Sequence, residues 1–278
     1  MTAPAPAGVD PLPTPWRTAS ALLQCAQLAY NADSPRKQSL YERAHAAMAQ
    51  HAALSDELTE CLLPTAAGDL RGWVVCPRAM PASAAVVVIG GLNGWGAAYL
   101  DMGRALAARG MLAVLAEGPG QGLSRMQSGL LLDQATLPLL GHFIDHAGSR
   151  SARQFGAWGN SFGGLFAARL AVHDARVRAV CINGAPMRPE LPPFRTAREQ
   201  MHAAFGTASA PALAAHLAAL ALDPRVDRTA ASLLVVEGGR DPLVALGTQS
   251  DFFGLSPATE RSILTWNDGE HTIYNHAQ

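Results

Sequence analysis

The chain has 278 residues, with 21 Lys and Arg against 22 Asp and Glu, a net charge of −1 and a pI near 6.7. That balance gives no basic surface for a polyanion and excludes nucleic acid as an expected partner. At 49% hydrophobic and 15% charged residues, with a mean hydropathy of +0.10, the sequence can bury a full core and falls outside the composition of disordered chains.

Residues 1–15 are rich in Ala and Pro but lack a basic n-region and a long apolar stretch, so they are expected to be a flexible lead-in and not a signal peptide. The longest apolar run, residues 84–92, is too short to cross a bilayer. A soluble cytoplasmic protein with no membrane partner is the expectation. Residues 16–56 read as a helical element, because residues 19–30 and 39–51 place apolar side chains at three- and four-residue spacing.

From residue 57 the pattern changes to strands alternating with helices. Residues 58–63 and 70–76 flank the turn Ala66-Ala67-Gly68-Asp69 and predict an antiparallel hairpin. Residues 84–89 form a continuous β-branched run ending at Gly90-Gly91, the signature of a buried central strand. An amphipathic helix over 97–109, stopped by Gly110, leads to a second buried strand at 111–115. Further strands are expected at 154–158, 177–182, 232–236 and 262–266, with a helix over 164–173. Such alternation implies a mostly parallel sheet covered on both faces. Residues 187–226, with four prolines followed by an Ala-rich segment, interrupt the rhythm and suggest an inserted helical lid. The core is then 57–186 together with 227–278.

Cys25, Cys61, Cys76 and Cys181 show no C-x-x-C pairing and read as small buried hydrophobes in preference to a disulfide or metal site. His142 and His146 have helical spacing, but no third ligand accompanies them, so no metal site is expected.

Chemistry is concentrated where strands end. Phe155-Gly156-Ala157-Trp158 runs directly into Gly159-Asn160-Ser161-Phe162-Gly163, a G-x-S-x-G between a strand and a helix. That context suits a nucleophile turn, which lifts the Ser161 hydroxyl above the sheet at the positive end of the next helix. Asp241, in Gly238-Gly239-Arg240-Asp241-Pro242, follows the strand at 232–236 and could orient an imidazole, cap a helix beginning at Pro242, or both. His271 follows the last strand in Asn267-Asp268-Gly269-Glu270-His271 and is the expected general base, with His276 as its competitor. Acyl transfer also needs two oxyanion donors. The backbone N–H of Phe162 is one, and the N–H of Leu92 in Gly90-Gly91-Leu92-Asn93 is nominated as the other.

Taken together, Ile89-Gly90-Gly91-Leu92, Glu117-Gly118-Pro119-Gly120-Gln121-Gly122, the Ser161 turn and Gly238-Gly239-Arg240-Asp241 resemble the FrsA-like esterase branch of the α/β-hydrolases. That group includes 2,6-dihydroxypseudooxynicotine hydrolase and polyketide-shortening hydrolases. The resemblance implies a Ser161–Asp241–His271 triad, no cofactor, and an active site between the sheet and a cap built from the N-terminal helices and the insertion. It also implies a small carbonyl substrate, an ester or a carbon–carbon bond beside a ketone, and a possible homodimer. The segment Asn93-Gly94-Trp95-Gly96-Ala97 departs from the polar run of relatives, and Gly91, Asn93 and Trp95 are expected to border the pocket. Ending at Gln278, the chain is expected to have at most a very short terminal helix, leaving apolar surface for a partner subunit. An acyltransferase or cyclase using the same triad, and a non-catalytic binding protein on this scaffold, are the competing readings.

Overall fold

The computed structural model describes residues 14–78, 81–150, 152–257 and 260–276. Two helices open it, α1 (Pro15–Gln27) and α2 (Pro35–Ala53). Each begins with Pro in its first turn behind a hydroxyl cap: Thr14 Oγ1 accepts from the Arg17 N–H, and Ser34 Oγ accepts from the Lys37 N–H. Helix α1 thus starts at Pro15, inside the segment expected to be a flexible lead-in; residues 1–13 of that segment lie outside the described residues. The two helices pack on each other, and the Ser20 hydroxyl donates to the Ala44 carbonyl at 2.8 Å.

The sheet has eight strands: β1 (Leu58–Leu63), β2 (Leu70–Val75), β3 (Ala84–Ile89), β4 (Met111–Glu117), β5 (Phe155–Asn160), β6 (Val177–Asn183), β7 (Ser232–Gly238) and β8 (Arg261–Trp266). Their order across the sheet is β1-β2-β4-β3-β5-β6-β7-β8. β1 and β2 form the antiparallel hairpin, β2 joins β4 antiparallel, and β3 to β8 are parallel. The helices among and after these strands are α3 (Leu100–Ala107), α4 (Gly122–Met126), α5 (Gly141–Ser149), α6 (Phe162–His173), α7 (Arg195–Phe205) and α8 (Ala210–Leu220). The predicted helix over 97–109 is shorter than expected: a 3-10 turn over Gly96–Tyr99 precedes α3.

Strand periodicity sends alternate side chains to two core layers. Val87, Ile89, Val114, Ala157 and Val235 face one layer, where Phe143 of α5 and Phe166 of α6 pack. Val88, Leu115 and Trp73 face the other, with Met48 of α2 and Leu100 of α3. This second layer thins toward β8, where Leu264 is 44% exposed and a shallow groove runs past Val86, Trp158, Cys181 and Leu234. The insertion between β6 and β7 carries α7 and α8, with Leu213, Leu217 and Leu220 buried against the core. Among the described residues no single helix is long and apolar enough to cross a membrane; α7 and α8 reach that composition only as a pair bent by 75°.

All four cysteines are free. Burial pushes the Cys61 and Cys181 thiols up to about 12, whereas Cys25 is exposed, contrary to the expectation of buried hydrophobes throughout. His142 faces Asp145 at 3.8 Å and His146 accepts from Arg150, so each imidazole has a local partner.

The chain passes from β3 to β4 on one side and then returns to place β5 on the other side of β3. At such a switch point the loops leaving adjacent strand ends diverge and open a crevice. The loops after β3 and β5 therefore border one cleft.

Candidate active site

Ser161 sits between β5 and α6 with φ 55° and ψ −132°, a conformation that costs a non-glycine residue of the order of 1–3 kcal/mol. Its surroundings hold it there. The Ser161 N–H donates to the Asn183 carbonyl at 2.7 Å, and the Gly164 N–H donates back to the Ser161 carbonyl at 2.8 Å. Two of the neighbouring glycines are required by close approach. A Cβ on Gly159 would lie 2.0 Å from the Gly163 carbonyl oxygen, and one on Gly163 would lie 2.3 Å from that of Gly90. The elbow is thus packed directly against the loop after β3.

His271 follows β8 and reaches back over the sheet edge. Its Nε2 is 2.7 Å from Ser161 Oγ, and its Nδ1 is 2.8 Å from Asp241 Oδ2. If Nδ1–H donates to the carboxylate, Nε2 is left as an acceptor for the serine hydroxyl. Asp241 is held by more than histidine: its Oδ1 accepts from the N–H groups of Leu243 at 2.8 Å and Val244 at 3.0 Å. No helix begins at Pro242, so these bonds close a turn and the expected helix cap is replaced by it. Burial raises the Asp241 pKa, but the bonds from His271 and the two amides, with the imidazole charge, bring it below the usual carboxylate range.

Backbone bonds join the loops that carry acid and base. The Gly239 N–H donates to the Trp266 carbonyl at 2.7 Å, and the Arg240 N–H to that of Gly269 at 2.9 Å. On the other side, Asn183 Nδ2 donates to Asn160 Oδ1 and to the Thr272 carbonyl, both at 3.0 Å. Thr272 and Ile273 have φ of 57° and 54°, so the backbone just after His271 is left-handed. The side chain of His276, the competing base, lies outside the described residues.

Comparison with solved structures agrees with this arrangement of strands. The chain superimposes on 2,6-dihydroxy-pseudo-oxynicotine hydrolase with a TM-score of 0.82 at 21% identity, covering 94% of this chain and 75% of that one. It superimposes on AbyA5 with a TM-score of 0.76 at 21% identity, over 95% and 83% of the two chains. The chain has the α/β-hydrolase fold. A cold-adapted esterase from an Arctic intertidal metagenomic library shares this fold at a TM-score of 0.54 and 18% identity, over 78% and 87%. No family model and no curated protein matches the chain by sequence.

In this α/β-hydrolase fold the serine opens into a cleft of about 680 Å³. Leu92, Asn93, Phe162 and His271 form its floor beside Ser161. Gly91 abuts the nucleophile, since a Cβ there would come within 3.1 Å of Ser161 Cβ. The walls come from the inserted segment expected to form a lid, through 186–193 after β6 and Gln200 and Met201 of α7, and from 242–245 beyond Asp241, to which no pocket role was assigned. Pro186, Pro189, Pro192 and Pro193 give the first wall a stiff, largely apolar surface.

Trp95 is placed elsewhere. Its ring meets the buried Tyr41 of α2 edge-on, with centroids 6.3 Å apart, and it does not line the cleft. The physical reason lies in Gly94 and Gly96, which turn the chain away from the serine after Asn93; the Gly96 N–H is anchored by Glu117 Oε1 at 3.0 Å. Sequence reasoning also missed Glu117 and Gln121, although both belong to the Glu-Gly-Pro-Gly-Gln run it singled out. Glu117 is buried, and burial raises its pKa even though the Leu123 and Gly96 amides favour its charged form.

Proposed function

We propose that this chain is a serine hydrolase of carbonyl compounds, working through an acyl-enzyme on Ser161. The observation that carries the reading is the continuous relay from Asp241 to His271 to Ser161, with both imidazole nitrogens within 2.8 Å of their partners. Such a relay has chemical meaning only if a proton moves along part of it.

In the proposed reaction His271 Nε2 removes the Ser161 proton as Oγ attacks the substrate carbonyl. Asp241 keeps the imidazole in the tautomer that can accept and stabilises the imidazolium that forms. The N–H groups of Phe162 and Leu92 receive the negative charge on the former carbonyl oxygen. Collapse expels the leaving group, which takes the proton from His271, and water then attacks the acyl-enzyme with His271 as base. For an ester the leaving group is an alkoxide or phenoxide. For a bond beside a ketone it is a carbanion stabilised as an enolate, protonated by the same imidazole.

The mainly apolar cleft wall supports a carbonyl substrate with a substantial hydrocarbon or aromatic part. Likeness to 2,6-dihydroxy-pseudo-oxynicotine hydrolase supports including aryl ketones among the candidates. The test is to offer purified protein a panel of aryl esters, acyl thioesters and β-diketones, and to label it with a fluorophosphonate. Turnover and labelling should both vanish in Ser161→Ala; retained turnover in that variant would refute the reading.

A further inference from the structure

Gln121 lies in the turn after β4, is 1% exposed, and bridges two strand ends with its side-chain amide. Its Nε2 donates to the Gly90 carbonyl at 2.7 Å and to the Gly91 carbonyl at 2.8 Å, while its Oε1 accepts from the Gly118 N–H at 3.0 Å. The orientation is unambiguous: flipping the amide would set its oxygen against two carbonyl oxygens and its NH₂ against an N–H.

The Gly91 carbonyl and the Leu92 N–H belong to one planar trans peptide, in which C=O and N–H point in opposite directions. Holding the oxygen therefore aims the hydrogen. The same peptide is anchored again by the Gly94 N–H, which donates to the Gly91 carbonyl at 2.8 Å. Gly91 borders the serine, since a Cβ built on it would stand 3.5 Å from Ser161 Oγ. A donor on a peptide oxygen also polarises the group and strengthens its N–H as a donor.

We propose that Gln121 is a positioning residue that aims and polarises the Leu92 N–H toward the oxyanion formed at Ser161. This rests on the serine-hydrolase reading above. Glu117 would hold the far end of the same loop through Gly96, so the turn after β4 would set the geometry of the loop after β3 from both ends.

The test compares wild type, Gln121→Met and Gln121→Glu on an aryl ester that wild type turns over. Methionine keeps the length and removes both donors. If Gln121 aims the N–H, kcat should fall by about 10–100-fold, less than the full loss of an oxyanion donor, with KM within about threefold. Affinity for an arylboronic acid should fall by the same factor, because its adduct forms a bond from Ser161 Oγ to boron and presents an oxygen to the same peptide. In Gln121→Glu the ionised carboxylate is repelled by both carbonyls, whereas the protonated acid can donate to one of them. The ratio of its kcat to that of wild type should therefore rise as pH falls.

A folded Gln121→Met protein with unchanged kcat and boronate affinity would overturn the proposal. If that variant does not fold, a pH-independent kcat ratio for Gln121→Glu would overturn it. A role confined to stability would lower Tm and leave both readouts unmoved. Ser161→Ala keeps the two readings apart: activity surviving there sinks the hydrolase reading, while activity lost there but kept in Gln121→Met sinks only the positioning role.

Discussion

Asn183 and Thr272 are 89 residues apart in sequence, yet the Asn183 side-chain amide donates to the Thr272 carbonyl at 3.0 Å and so ties the end of β6 to the backbone beside His271. Asn183 is buried, and its own carbonyl accepts from the Ser161 N–H. One residue therefore touches the backbone of both the proposed nucleophile and the segment that holds the base. Asn183→Ala would remove the side-chain link and leave the Thr272 carbonyl without that donor. On the proposed mechanism, loss of alignment should lower kcat by roughly 10–100-fold, with a stability loss of about 1–2 kcal/mol. Steady-state kinetics and urea unfolding of the variant check both numbers.

Ser161 is held in a backbone conformation that glycine adopts freely. Ser161→Gly should therefore abolish turnover and stabilise the protein by up to about 1 kcal/mol, the opposite signs for function and stability expected of a strained site. Ser161→Ala, which keeps the strain, should lose turnover without that gain. Differential scanning calorimetry of the two variants side by side separates strain from chemistry.

Asp241→Asn preserves size and can retain both backbone bonds at Oδ1, but it then offers an NH₂ to His271 Nδ1 and so favours the wrong imidazole tautomer. Loss of about 10⁴ in kcat is expected for this change in a Ser-His-Asp relay. Circular dichroism should remain that of the wild type. A loss of less than tenfold would show that His271 does not depend on Asp241 for its orientation.

Lys37 is buried where α2 meets α4, and burial, with the Arg125 charge nearby, lowers its pKa from 10.5 to about 8 against the opposing pull of Asp33. The unfolded chain thus holds this proton more tightly than the folded one. Below about pH 8 the cost of burying the charge is fully present, and between about 8 and 10.5 it is relieved as the folded protein releases the proton. Lys37→Met should be the more stable protein at pH 7, by about 1–2 kcal/mol, with the gap closing as pH rises toward 10. Unfolding midpoints for both proteins at pH 7 and pH 10 test the sign.

The sequence by itself determined the repeating strands, the order serine, acid, histidine, and the location of all three after strands β5, β7 and β8. These features are local: a β-branched run specifies a buried strand, and the glycines flanking Ser161 permit a tight turn, which the surrounding backbone then holds in its strained form. The strand boundaries moved by only a residue or two, as at Phe155–Asn160 and Ser232–Gly238. Tertiary structure alone decided what stands beside what. Trp95 was expected in the pocket because it is three residues past Leu92, but the turn at Gly94 carries it to Tyr41. Gln121 could be singled out as part of a motif and still have no assignable role, because its partners depend on β4 lying next to β3 in the sheet. Sheet order is set by how whole layers of side chains pack, and no local pattern around residue 121 encodes it. Ser161 was legible from a pentapeptide set between a strand and a helix; the side chains of Gln121 and Asn183 that hold the backbone around it became visible only once the strands were side by side.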